Sequence, residues 1–127
     1  MNTIDSLTND KDLAKTSCSY HIPNELRYCS IQLRMNMSKD LNCSKELLEA
    51  LSKDENWIVR CNIATNINSS IDILDRLSKD IDHSVRYYAT QNTNTSNETL
   101  KELLNDPILS SEALKTLIKK KNLKLFI

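Results

Sequence analysis

The sequence predicts an all-α protein, built as a short α-solenoid of two-helix units. Two observations predict this fold class. First, residues 43–68 and residues 69–94 align without a gap at a spacing of 26, with leucines, an aspartate, a Val-Arg pair and asparagines at matching positions. Second, each copy carries apolar residues at helical spacing after residues that favour helix starts. Repeats of this length stack, and each unit buries its apolar face only against the next.

The first helix of each unit is predicted from a capping residue that is followed three positions later by an acid. The predicted caps are Cys43, Ser69 and Thr95, with Ser44 as a substitute for the weak cap Cys43. An apolar stripe along the helix follows each cap. Its members are Leu47, Leu48, Leu51, Ile73, Leu74, Leu77, Leu100, Leu103 and Leu104.

The second helix of each unit is predicted to start at an aspartate, which can bind free amides at the positive end of the helix dipole. These aspartates are Asp54, Asp80 and Asp106, and Pro107 suits the first turn after the last of them. The polar ends of these segments allow part of each to be 3₁₀ helix. The predicted inward residues are Leu33, Val59, Val85, Met37, Ile63 and Ala89.

Asn66 and Asn92 are predicted to end the second helices. The chain contains no glycine, and asparagine is the next best residue for a left-handed backbone. We therefore expect asparagine to take the left-handed positions that end helices.

We expect a single helical-repeat domain over residues 1–127. Residues 1–32 would form an irregular N-terminal cap, 33–109 the repeats, and 110–127 a C-terminal cap helix with an apolar tail. The last helix is expected from Ser111 to Lys121, with Leu114, Leu117 and Ile118 as its apolar side. The tail, 122–127, is expected to fold back on the last helix pair, and self-association through it is the alternative.

The pattern Asp-x-x-x-x-Val-Arg-x-x-Ile/Ala-Ala/Thr-x-Asn runs from Asp54 to Asn66 and again from Asp80 to Asn92. It resembles the leucine-rich repeat variant family, a branch of the HEAT/armadillo-like helical-repeat proteins. The resemblance covers residues 33–109. It implies a right-handed superhelix of paired helices and no enzymatic activity, because such repeats are mostly interaction scaffolds.

Some members of that family carry an iron–sulfur cluster on a compact cysteine set before the repeats. Here the cysteines are dispersed along the chain, and thiolate clusters need grouped ligands. An iron–sulfur protein is therefore a remote alternative, and we expect no cofactor and no metal site. The four cysteines are Cys18, Cys29, Cys43 and Cys61.

Several enzyme classes are disfavoured by composition. Rossmann fingerprints, phosphate-binding loops and nucleophile elbows all need glycine, and the chain has none. No nucleophile–base pair or paired carboxylates stand out from the acids expected to cap helices. We expect no enzymatic activity and no catalytic residues.

The charges balance overall, with 17 basic and 17 acidic residues. They give no general reason to expect a nucleic-acid or membrane partner. Residues 107–127, however, carry five lysines against one acid, and nucleic-acid binding through this basic end is the alternative function. Against it, lysines near a helix C-terminus are favoured by the dipole, and no aromatic residues alternate with them. The lysines are Lys115, Lys119, Lys120, Lys121 and Lys124.

The N-terminus has acids and no apolar run, and no stretch approaches the length of a transmembrane helix. These features predict a cytoplasmic protein with reduced cysteines and no membrane partner.

The candidate partner-binding residues are aromatic, basic or polar side chains at repeated positions of the second helices, and aromatic residues are enriched at interaction hot spots. Two alternatives stay open for them. The arginines either bind an acidic partner or pair with an aspartate of their own or the neighbouring unit, and the aromatic residues either face a partner or fill gaps between units. The candidates are Trp57, Arg60, Asn62, His83, Arg86 and Tyr88.

The function these observations predict is a non-enzymatic protein–protein interaction module. An adaptor and an inhibitor that occupies a partner's surface both fit the sequence, and the identity of the partner is not encoded in these patterns.

Overall fold

The structure is a computed structural model that describes residue 26 and residues 28–125. In this part of the chain the seven α-helices are accompanied by no strand, so the prediction of an all-α protein is confirmed. Most of the predicted N-terminal cap, residues 1–25, and the last two residues of the predicted tail lie outside the described residues.

The helices alternate between two roles. Helices α1, α3, α5 and α7 each pack on the next of the four, and we call them the stacked helices. Helices α2, α4 and α6 pack beside them, α4 against both α3 and α5, and we call them the flanking helices. Their bounds are α1 Ile31–Ser38, α2 Lys45–Leu51, α3 Trp57–Thr65, α4 Ile71–Leu77, α5 His83–Gln91, α6 Asn97–Leu103 and α7 Ser110–Leu125.

The flanking helices begin one residue later than the sequence predicted. In α4 the Ser70 hydroxyl accepts the amide of Ile73 at 3.2 Å, so Ser70 and not Ser69 is the N-cap. Ser69 is buried and donates its hydroxyl to the carbonyl of Ile63 at 2.6 Å. This bond satisfies a free carbonyl near the end of the preceding helix. The predicted caps Ser69 and Thr95 are therefore wrong, whereas Ser44, predicted as the substitute for the weak cap Cys43, is confirmed. The caps are Ser44, Ser70 and Ser96.

The N-caps of the stacked helices α3 and α5 lie two residues after the predicted aspartates. The side chain of Asn56 accepts the amides of Ile58 and Val59, and Asp82 plays the same part in α5. Because these caps satisfy the first-turn amides, both helices are α-helical along their whole length, and the expectation of partial 3₁₀ structure is wrong.

Asn66 and Asn92 end α3 and α5, as predicted. The expected left-handed backbone is wrong, however. Asn66 has φ −71° and ψ 126°, and among the described residues no φ is positive. Each of these helices ends at an extended residue whose side chain forms the bonds, so the end of the helix does not require glycine.

The core lies where the apolar spacing predicted it. Leu33, Val59 and Val85 are fully buried, as are the residues one turn further along α3 and α5, Ile63 and Ala89. The leucines of α2 and their counterparts in α4 are buried too. The prediction fails at Leu104, which is 38% exposed. The inward-facing residue of α6 is instead the buried Thr99, whose hydroxyl donates to the Asp75 carboxylate at 2.8 Å.

The last helix follows a different spacing. Asp106 accepts the amides of Ile108 and Leu109, just as Asp82 accepts the amides two and three residues ahead of it. Asp106 thus corresponds to Asp82 at a spacing of 24, not to Asp80 at 26. The buried Leu109 and Ala113 likewise lie 24 residues after Val85 and Ala89.

The C-terminus also differs from the prediction. A single helix runs from Ser110 to Leu125, so the predicted end at Lys121 is wrong, and residues 122–125 continue the helix instead of folding back as a tail. In the described part of the chain, no helix combines the length and the apolar character needed to cross a membrane.

The two neighbouring serines give a test of the capping assignment. We expect Ser70→Asp to change the free energy of unfolding by less than about 0.5 kcal/mol, because aspartate is an equally good exposed cap. Ser69→Asp should destabilise the protein by at least about 2 kcal/mol, because it places a carboxylate in a buried site. Urea unfolding followed by far-UV circular dichroism measures both values. Equal losses in the two variants would contradict the assignment.

Candidate protein-interaction site

Side-chain amides connect the ends of the stacked helices. The Nδ2 of Asn66 donates to the carbonyls of Ser38 and Asp40 at 3.1 and 3.3 Å. The Nδ2 of Asn92 repeats this one helix later, donating to the carbonyls of Ala64 and Asn66 at 2.8 and 3.1 Å. Each asparagine therefore satisfies free carbonyls at the end of the helix before it and fixes the spacing between the two.

Two arginines connect the starts of the stacked helices. Arg34 Nε lies 2.7 Å from Asp54 Oδ2, and Arg60 Nε lies 2.9 Å from Asp80 Oδ2, with all four side chains largely buried. Arg60 also donates through Nη2 to Asp80 Oδ1 at 3.1 Å and through Nη1 to the Asp54 carbonyl at 2.8 Å. We call these pairs the Arg–Asp ladder.

The contacts of Arg60 match one of the two alternatives left open for it, pairing with an aspartate of the neighbouring unit. All three guanidinium nitrogens bind groups within the molecule, and the bond to Asp80 is the largest reason why the pKa of Arg60 is raised. The carboxylate comes from the next unit, while the aspartate of its own unit contributes only a backbone carbonyl. The three guanidinium nitrogens of Arg60 are thus all bonded within the molecule, which is a structural role.

The ladder ends at Arg86. Its Nη1 donates to the carbonyls of Asp80 and Ile81 at 2.8 and 3.0 Å, which matches the Arg60 bond to the Asp54 carbonyl. Among the described residues, however, no carboxylate lies within 4.0 Å of its guanidinium. Asp106 is bonded instead to the Leu109 and Ile108 amides, which lower its pKa, and Arg86 adds a smaller attraction. No described residue accepts a hydrogen bond from Nε or Nη2 of this arginine.

The predicted site residues fall into two groups. With 3.6 residues per turn, Ile58, Asn62 and Thr65 share one side of α3, and Ser84, Tyr88 and Gln91 share the matching side of α5. These residues are exposed or half-buried, and we call this surface the open face. Asn62 donates to the Met35 carbonyl at 3.4 Å, and the Tyr88 side chain is 39% exposed.

Trp57 and His83 are the first residues of α3 and α5, and both are exposed. Each lies about 140° around its helix from Asn62 or Tyr88. Together with Arg86 and the almost fully exposed Ile81 they form what we call the N-terminal edge. Ile81 was not predicted, although its place in a polar loop, where the preceding copy has Glu55, is a signal for it.

The two tyrosines of α5 have different environments. The ring of Tyr87 packs on the cluster formed by Leu100, Leu103, Leu109 and Ala113. Its centroid lies 5.5 Å from that of Tyr88, and the planes meet at 75°. This edge-to-face arrangement holds Tyr88 in one orientation at the surface.

The basic end is less uniform than the sequence suggested. Lys115, Lys119 and Lys121 are exposed on α7, and Lys115 lies 3.4 Å from Glu112. Lys120 is half-buried and donates to the Thr95 carbonyl at 2.5 Å. Lys124 lies in the last turn of the helix. Lys120 therefore has a structural bond, whereas Lys115, Lys119 and Lys121 are exposed.

Cys29, Cys43 and Cys61 are buried, and Cys18 lies outside the described residues. Among the residues that the structure describes, no three His, Cys, Asp or Glu side chains are grouped so that they could hold a metal ion. Burial raises the pKa of the Cys61 thiol to about 11, and the nearby Asp82 carboxylate adds to this shift.

Comparisons of the chain with family models, with curated proteins and with solved structures found no match. The resemblance to leucine-rich repeat variants therefore stays a prediction from the repeated residues.

The difference between Asp80 and Asp106 can be tested with matched substitutions. Asp80→Asn should lower the free energy of unfolding by about 2 kcal/mol, because it removes the negative partner of a largely buried guanidinium. Asp106→Asn should leave stability unchanged within error, because asparagine caps as well as aspartate does. Chemical denaturation of both variants gives the comparison. Similar losses would show that the ladder does not end at Arg86.

The Cys61 thiol should react slowly with an alkylating agent. A shift of its pKa from 9.0 to about 11 lowers the thiolate fraction at pH 8 about a hundredfold. The reaction rate should rise about tenfold per pH unit and level off only near the pKa. Peptide mass spectrometry after timed iodoacetamide treatment measures the rate. The same chain unfolded in urea is the control, and equal rates in the two states would contradict the expectation.

Proposed function

We propose that this protein is a non-enzymatic protein-binding module, built as a short right-handed α-solenoid with 26-residue units over residues 33–109. The solenoid is supported by contacts that recur along the chain. The asparagine amide bonds and the Arg–Asp ladder each occur twice at a spacing of 26, and each stacked helix packs on the next.

The observation that carries the binding function is the pair of exposed aromatic side chains on rigidly held helices. The Trp57 side chain is 47% exposed and the Tyr88 side chain 39% exposed. Tryptophan and tyrosine supply large contact areas at low entropic cost and are the residue types most enriched at binding hot spots. A partner would contact the open face through Tyr88 and Asn62, and the N-terminal edge through Trp57 and His83.

Arg60 and Arg86 contribute differently to this surface. Because the guanidinium of Arg60 is bonded to Asp80 and to the Asp54 carbonyl, it acts by positioning the start of α3. Arg86 has donors that the described residues do not occupy, so it is the arginine through which an acidic group of the partner would bind.

Binding would need little rearrangement. The helices beneath the surface are fixed by buried side-chain bonds between units, so few backbone torsions have to be ordered when a partner docks. A module of this kind acts by occupying a surface, as an adaptor or as an inhibitor does. Nucleic-acid binding through the basic end of α7 is the alternative, and its sign would be an affinity that falls steeply with salt.

Two substitutions test the proposal. We expect Trp57→Ala and Tyr88→Ala each to reduce the amount of partner captured from extracts of the native host at least about tenfold, as hot-spot residues do. The melting temperature should change little, because both side chains are already half in water. Quantitative mass spectrometry of the captured proteins and thermal unfolding are the two measurements.

The matched control is Ile71→Ala, which removes an equally exposed apolar side chain, 57% accessible, from the start of α4 on the flanking helices. It should capture the partner as the unchanged protein does. A large loss of stability in the aromatic variants would instead identify Trp57 and Tyr88 as packing residues, and unchanged capture would reject the proposed surface.

A further inference from the structure

Helix α7 has an apolar pair on the side that faces water. Its buried side is formed by Ala113 and Thr116. On the opposite side lie Leu114 and Ile118, each 51% exposed. They are four residues apart and are therefore neighbours on the helix surface. The pair therefore forms a small apolar area on a side of the helix where polar residues are more usual.

The apolar pair lies among positive charges. Lys115 and Lys119 directly follow Leu114 and Ile118, which places them along one border of the pair, about 100° around the helix. Lys121 lies one turn after Ile118, on the same side of the helix. All three lysines are exposed. The single acid of this segment, Glu112, is half-buried and bonded to Gln91 at 3.0 Å, which lowers its pKa, and its other oxygen accepts a bond from Lys115 at 3.4 Å.

The other border of the pair is a groove. A cavity of about 280 Å³ lies between the start of α6 and the second half of α7, lined by Asn97, Leu117, Lys120 and Lys121. Lys121 belongs to both the groove and the exposed side. The apolar pair, the lysines and the groove thus form one continuous surface, which we call the α7 surface.

The chemistry of the α7 surface selects its occupant. A second copy docking through the same face would bring lysines against lysines, which is unfavourable. Nucleic-acid phosphates would pair with the lysines but would leave Leu114 and Ile118 without apolar contacts. Two aliphatic side chains are also a small face for insertion into a lipid interface, which usually involves a larger apolar side.

We propose that the α7 surface binds an acidic amphipathic helix of another protein. Apolar residues of that helix, spaced three or four apart, would cover Leu114 and Ile118, as in other helix-in-groove complexes. Its aspartates and glutamates would lie against Lys115, Lys119 and Lys121. This surface is formed by other residues than those of the proposed partner-binding face, so each can fail without the other.

A synthetic peptide pair tests the proposal on the full-length protein. The probe is a fluorescein-labelled amphipathic peptide of about 18 residues, long enough to form a helix, with leucines at helical spacing flanked by glutamates. The second peptide has lysine in place of every glutamate. Fluorescence anisotropy should show at least about tenfold tighter binding of the glutamate peptide, and this preference should decrease at high salt.

Two variants and two controls identify the surface. Ile118→Ser should weaken binding of the glutamate peptide about tenfold, and Lys115→Glu combined with Lys119→Glu should transfer the preference to the lysine peptide. Ile71→Ser and Lys45→Glu change equally exposed residues on other helices and should leave binding unchanged. Circular dichroism should show the same helix content in every variant.

Four results would overturn the proposal. The first is equal binding of the two peptides, and the second is glutamate-peptide binding that survives both α7 variants. The third is a preference for anionic phosphatidylglycerol vesicles or duplex DNA that is lost in the lysine variant, while the glutamate peptide does not bind. The fourth is a concentration-dependent dimer in analytical ultracentrifugation that Ile118→Ser abolishes, which would identify a second copy as the occupant.

Discussion

The structure depends on side chains that cross from one stacked helix to the next. Helices α1, α3 and α5 have only eight or nine residues, too few to be stable alone in water. Their ends are held by the amides of Asn66 and Asn92 and their starts by the Arg–Asp ladder. Because these groups are largely buried, loss of one partner leaves the other unsatisfied. The apolar core stabilises the helices, and these bonds set how far apart the helices lie.

The sequence predicted well those features that follow directly from spacing. Leu33, Val59 and Val85 are buried because a helical period places them on one side, and Asn66 and Asn92 end their helices at the repeated positions. Helix starts were predicted less accurately. Ser69 and Ser70 are both capping residues, and only the packing of the preceding helix decides which hydroxyl is free to accept an amide.

The candidate site could be predicted only in part. Alignment of the two copies shows that Trp57 corresponds to His83 and Asn62 to Tyr88, but not in which direction each position points. The rotation of α3 and α5 about their own axes depends on buried neighbours from both sides, and it separates these residues into an open face and an edge. Leu114, Leu117 and Ile118 were predicted as the apolar side of the last helix, but the exposure of Leu114 and Ile118 was not predicted, because the spacing of 24 at this helix is hidden when the chain is aligned at 26.

Among the described residues no carboxylate pairs with Arg86, and this has a consequence for where a further unit would fit. A copy of the unit inserted between residues 43 and 94 would bring its own arginine and its own aspartate at the required separation. Each inserted copy would therefore form the Arg–Asp bonds with the units on both sides of it. A copy added after Asp106 would meet an aspartate whose side chain already accepts backbone amides. At the position of the next arginine it would meet a serine, Ser110. Among the described residues, a copy inserted between residues 43 and 94 would therefore form these bonds, whereas a copy added after Asp106 would not.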